Sequence, residues 1–107
     1  MLVIKHEVVD KDNNHLYNHF YWWCIGCNDV HIFANNHSPN YPGPDWEFDN
    51  NYESPTVNPS ILTNQNYNGE PHPCHVFIKQ GMIQYLSDSW HALAGQTVAM
   101  VELPDWV

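Results

Sequence analysis

The sequence predicts a mainly β fold: one small antiparallel β domain over residues 1–107, built of hairpins, with one short helix near its end. Three observations predict it. Runs of β-branched and aromatic residues recur along the chain, each bounded by Asn, Asp, Pro or Gly. Nothing in the order of these runs gives a βαβ alternation or an internal repeat. At the junction of two of them stands Cys24-Ile25-Gly26-Cys27, whose glycine suits the tight turn of a hairpin.

Residues 2–9 (LVIKHEVV) predict a first strand, stopped by the turn-prone DKDNN. Residues 16–24 (LYNHFYWWC) predict a second and residues 29–33 (DVHIF) a third, with Gly26 making the turn between them. Residues 35–55 are rich in Asn, Pro and Gly, which is loop chemistry with one short extended piece at Trp46-Glu47-Phe48. Between 57 and 63 a short strand is expected at Ser60-Ile61-Leu62, and residues 64–73 (NQNYNGEPHP) read as a second polar loop. Residues 74–79 and 82–86, joined by Gln80-Gly81, form the clearest hairpin in the chain. Ser87 or Ser89 would then cap a short helix over Trp90–Ala94, ended by Gly95, and residues 96–103 supply a last strand.

The charge is one-sided. Twelve Asp and Glu face three Lys (Lys5, Lys11, Lys79) and no Arg, a net charge of −9. Such a surface repels nucleic-acid phosphates and anionic membranes, and it has no guanidinium fork to grip a phosphate. The acids are scattered rather than massed, so they read as a solubility device rather than a mimic of DNA. Met1-Leu2-Val3-Ile4 is interrupted by Lys5, His6 and Glu7 before a signal-peptide core could form, and no apolar run is long enough to cross a bilayer. A cytoplasmic location is expected. Five Trp, six Tyr and four Phe supply cross-strand pairs and core, and could also line a pocket for a flat ligand.

The cysteines carry the most chemistry. A thioredoxin-like pair would open a helix within a βαβ unit, which this chain lacks. A disulfide is disfavoured inside cells, and simple burial is open to any free cysteine. Cys74 shifts the balance, because it starts the second hairpin and can bring a third thiolate to the Cys24/Cys27 turn. Three thiolates and one histidine make a closed zinc shell, so one Zn2+ held by Cys24, Cys27, Cys74 and His91 is predicted. His31 and His75 are the alternative fourth ligands. His75 is disfavoured because neighbouring side chains on a strand point to opposite faces, and His31 needs a chain that turns back. Asp88 stands as a partner for His91. His6, His15, His19, His37 and His72 read as surface or hydrogen-bonded residues.

Taken in order, Trp23-Cys24-x-Gly26-Cys27-x-x-x-His31, Pro44-Asp45-Trp46-x-Phe48, Ser54-Pro55-Thr56-x-x-Pro59-Ser60-Ile61-Leu62, Cys74-His75-x-Phe77-Ile78 and Asp88-Ser89-x-His91-Ala92-Leu93-Ala94-Gly95-Gln96-Thr97-Val98 resemble a family of short phage and prophage proteins, sometimes labelled "ammonia monooxygenase". The resemblance covers roughly residues 21–107. It implies a phage origin and metal-site positions at Cys24, Cys27, His31, Cys74, His75, Asp88 and His91, but no activity. The oxygenase label finds no support, since copper oxygenases of that name are membrane proteins.

Two of the three histidines and Asp88 are left over once one zinc is satisfied. They are either hydrogen-bond partners of the ligands or a small polar pocket beside the metal, near Trp46 or Trp90. No nucleophile motif stands out, so no catalytic residue is assigned and the balance is against an enzyme. The expected function is that of a phage accessory protein with a structural zinc, binding a host protein or factor, counter-defence included. The alternatives are a small-molecule or nucleotide sequestering protein, with aromatics of the Pro-Gly-rich loop stacking a base, and a zinc-dependent hydrolase. Homo-oligomerisation is left open.

Overall fold

The computed structural model describes residues 1–107. Eight strands form in the order β1 (Ile4–Val9), β2 (His15–Cys24), β3 (Asp29–Asn35), β4 (Glu47–Phe48), β5 (Val57–Tyr67), β6 (Glu70–Lys79), β7 (Met82–Tyr85) and β8 (Thr97–Ala99). They make two sheets, ordered β1-β2-β3 and β4-β5-β6-β7-β8, and every neighbouring pair is antiparallel. No helix is present, so none is long and apolar enough to cross a membrane.

The mainly β expectation therefore holds, and the short helix does not. Residues 91–96 form tight turns instead: Ala94 N–H donates to the His91 carbonyl at 3.2 Å and Gln96 N–H to the Leu93 carbonyl at 2.9 Å. Gly95 adopts a left-handed φ of 80° and sends its N–H to Tyr85 of β7, at 2.9 Å. Ser89, expected as a helix cap, is instead bonded to β6. Tertiary partners for the backbone have overridden the helix propensity of Trp-His-Ala-Leu-Ala. A second correction falls on residues 64–73. They continue the β5–β6 ladder out to Tyr67↔Glu70, closed by Asn68 and Gly69 at φ 53° and 81°, the two left-handed residues of a type I′ hairpin turn.

The core lies between the sheets. Strand alternation turns Phe20, Trp22 and Cys24 inward from β2, and Cys74, Val76 and Ile78 inward from β6, where they meet Phe33, Val57, Ile61, Ile83 and Tyr85. Phe20 stacks on Phe33 with ring centroids 4.8 Å apart, and Phe48 meets both edge-on. Each such buried side chain contributes roughly 1.5–3 kcal/mol. The same alternation has a functional consequence. Cys74 goes into the core, so His75 must face outward.

Candidate active site and metal centre

The ends of the two inward-facing rows meet at a cluster. Cys24 and Cys27 flank the β2–β3 turn, Cys74 enters from β6, and His91 descends from the turn after β7. Their four ligand atoms lie within 4.8 Å of one another. Cys24 and Cys74 sulfurs are 3.7 Å apart, and Cys74 Sγ is 3.4 Å from His91 Nε2. A tetrahedral shell with metal–sulfur bonds of about 2.3 Å has sulfur–sulfur edges of about 3.8 Å, and a sulfur–nitrogen edge is slightly shorter. The donor set fits a zinc-sized cation on both type and spacing.

Gly26 is required here for a reason other than a strained φ. A Cβ on it would stand 2.2–2.5 Å from three atoms of the His91 ring, so only glycine lets the imidazole lie over the turn. The left-handed residue of that turn is Asn28, at φ 53°. Gly26→Ala is expected to cost about 1–3 kcal/mol through this overlap. The change should lower the melting temperature and weaken metal retention, and an unchanged melting curve would show that His91 is free to move.

The thiols are electrostatically frustrated among themselves. The Cys24 thiol is drawn down to about 3, chiefly by the hydrogen bond from the Cys74 thiol, and is helped by Tyr85 Oη at 3.3 Å. Burial pushes Cys27 up to about 11. Cys74 is pushed far up by its bond to Cys24 and by burial, and burial also raises Tyr85. One thiolate is tolerated and the next two are opposed by burial and the first charge. A dication at the shared point reverses the sign of that argument. Trp90 Nε1–H donates to Cys27 Sγ at 3.3 Å, and Cys27 N–H to Cys24 Sγ at 3.3 Å, so the sulfurs sit among donors.

His31 is not one of the four clustered ligands, but it borders them and helps to lower the Cys24 thiol. It runs extended in β3, buried, with Nδ1 3.0 Å from the Val30 carbonyl and its ring edge-on to Trp22. The expectation that Asp88 serves His91 also fails, because Asp88 pairs with His75. His75 Nδ1–H donates to Asp88 Oδ2 at 3.1 Å, and Ser60 Oγ–H donates to His75 Nε2 at 2.9 Å. Serine, histidine and aspartate are thus hydrogen-bonded in series, in the arrangement that activates a serine nucleophile.

Local structure explains how these three meet. Val57 pairs with Ile78 and Ile61 with Val76, so β5 advances four residues where β6 advances two. Ser60 lies in that bulge, on the same outward side as Leu62, which stands opposite His75 in the ladder. Trp46 Nε1–H donates to the Ser60 carbonyl at 3.2 Å and fixes the bulge from the other side. The backbone of His75 is held at both ends: its N–H donates to Ser89 Oγ at 3.1 Å, and Ser89 Oγ–H donates back to its carbonyl at 3.2 Å. Leu86 N–H reaches the same carbonyl at 2.8 Å. His75 is half-buried and Asp88 exposed, so solvent reaches the chain of hydrogen bonds from the aspartate side.

Ser60 is the residue that sequence reasoning missed. The signal was present as a spare histidine and a spare aspartate lacking a nucleophile, beside Pro59-Ser60-Ile61-Leu62. No local motif marks the serine, because a bulge rather than a nucleophile elbow presents it.

A family model described as "Bacterial ubiquitination-like system serine protease (BubE)" matches residues 3–86. No curated protein and no solved structure matches the chain. The matched span contains Ser60, His75 and the three cysteines and stops just before Asp88. The family match corrects the expected function. It names a serine protease of a bacterial ubiquitination-like system, not a phage accessory protein acting on a host factor, and neither the sequestering protein nor the zinc-dependent hydrolase. It is at odds with the balance drawn against an enzyme, and a phage origin is not shown.

Proposed function

We propose a serine-protease function for Ser60, on the premise that the chain belongs to the BubE family of bacterial ubiquitination-like system serine proteases. The observation that carries this reading is the pair of hydrogen bonds in series, Ser60 Oγ to His75 Nε2 and His75 Nδ1 to Asp88 Oδ2. Ser60 Oγ attacks the carbonyl carbon of an amide bond while His75 Nε2 takes its proton. His75 then returns that proton to the departing amine, leaving an acyl ester on Ser60. A water molecule, deprotonated by the same nitrogen, releases the acyl group and restores the serine. Asp88 holds the imidazole in the required tautomer and stabilises the imidazolium formed on the way. Following the family's name, the substrate is a protein of a ubiquitination-like system.

Cys24, Cys27, Cys74 and His91 hold one zinc in this reading. All four positions are filled by protein, so the metal supplies a structural cross-link rather than a Lewis acid. It pins the strand residue that precedes His75 and the turn residue three beyond Asp88, which fixes the two partners of the nucleophile.

One preparation tests both halves. A fluorophosphonate probe should modify the folded protein once, at Ser60 by peptide mapping, and elemental analysis should return one zinc per chain. A folded protein left unmodified, or modified at another serine, would sink the catalytic assignment. A metal-free native preparation would sink the zinc.

A further inference from the structure

We propose that the aromatic cleft beside Ser60 is the substrate specificity pocket, and that it takes one large apolar side chain of an extended peptide, one to three residues from the scissile bond. This rests on the reading of Ser60 as the nucleophile and adds the class of substrate residue recognised.

The cleft has a volume of about 460 Å³ and opens between β3 and β5. Ligand pockets run from about 300 to 1,000 Å³, so one large side chain and the backbone carrying it fit within this space. Its link to the nucleophile is covalent on one wall and hydrogen-bonded on another. Ile61 and Leu62 follow Ser60 directly, and Trp46 lines the cleft while its indole holds the Ser60 carbonyl. A third wall is an aromatic stack, with Tyr17 parallel to His37 at 4.9 Å and to Tyr41 at 5.7 Å.

Chemistry selects the occupant. The lining contains no Asp, Glu, Lys or Arg; of its two histidines, His37 is already paired with Asp45 and burial lowers the pKa of His19, so a charged side chain would lose water and meet no free opposite charge. Leu62, Tyr41 and Ile32, all on the lining, are 55%, 50% and 45% exposed. Three large apolar side chains left uncovered around one cleft mark a recognition surface rather than scattered exposure.

Geometry selects the conformation. β4 pairs only with Val57 and Asn58 of β5, and β3 is the outer strand of its sheet. Beyond Asn58, β5 therefore presents an edge with no neighbouring strand opposite β6, and the cleft runs along it. An extended peptide can hydrogen-bond to such an edge while dropping alternate side chains into pockets. Strand residues advance about 3.3 Å each, so the wall from Ile61 to Thr63 lies roughly 3–10 Å along the strand from Ser60. That distance sets the one-to-three-residue range.

Protection of Ser60 from a small fluorophosphonate tests this without requiring turnover. Hexapeptides carrying a single Leu, Phe or Tyr among small residues are expected to slow labelling about tenfold or more at saturation, and the same peptides with Asp or Lys at that position should not. Leu62→Asp should abolish the protection, measured as the ratio to that variant's own unprotected rate. Equal protection by apolar and charged peptides, none by either, or full protection retained in Leu62→Asp would overturn the pocket while leaving Ser60 as the nucleophile. A folded protein that the probe never labels at Ser60 would overturn both.

Discussion

Ser60→Ala is expected to lower kcat for peptide-bond cleavage by about 10³-fold or more, with the fold unchanged. The serine is half-buried at a bulge, and its side chain bonds to His75 alone, so its removal leaves no cavity in the core. His75 keeps its bond to Asp88 and the two backbone bonds to Ser89, and stays in place without its acceptor role. The drop should appear in kcat with little change in KM, because the hydroxyl acts in the transition state and not in binding the ground state. Steady-state cleavage of a quenched peptide, read beside far-UV circular dichroism, checks this. A variant retaining more than about a tenth of the activity would place the nucleophile elsewhere.

Cys74→Ser is expected to do more than weaken a contact. Structural zinc sites contribute about 10 kcal/mol or more of binding free energy, comparable with the whole stability of a typical domain at about 5–15 kcal/mol. Losing one thiolate would also leave Cys24, half-buried Cys27 and His91 around an incomplete donor set. The variant should purify without zinc and show no cooperative melting transition near that of the wild type. Because Cys74 directly precedes His75, labelling of Ser60 should vanish in the same preparation. Stripping zinc from the wild-type protein with a chelator should reproduce both losses together. A zinc-free variant with unchanged melting and undiminished labelling would show that the shell neither staples the fold nor supports the triad.

These two results depend on parts of the chain that were unequally legible. Cys24-Ile25-Gly26-Cys27 announces itself because spacing and glycine are local, and the third thiolate was expected from Cys74 at the head of a strand, although β6 begins four residues earlier at Glu70. Most strands were readable for the same reason, since alternation is a property of neighbours. The outer end of β5–β6 was not. Residues 64–67 and 70–73 are polar on both faces, so only Asn68-Gly69 betrays the hairpin, and the prolines beside it argue for a loop. The turn at 91–96 was not legible because Gly95 and Gln96 bond to the backbone of Tyr85, which holds the segment to two tight turns in place of a helix. Ser60 was hidden for a deeper reason. It is fifteen residues from His75, and their meeting depends on strand register, which no local pattern encodes.

The bulge in β5 makes chain length, rather than residue identity, the guarded quantity at the proposed active site. Between Val57 and Ile61 the strand carries two more residues than its partner spans, and Ser60, which bonds to His75, lies within that surplus. One residue added or removed there would make the Val57–Ile61 spacing odd, so that a regular strand could no longer turn both into the core, with every other side chain conserved. Removing two would restore an even ladder and keep the core pairing, but would abolish the bulge that presents Ser60 to His75. On the reading proposed above, a sheet of the same outline would remain that holds a peptide along its edge and no longer cuts it.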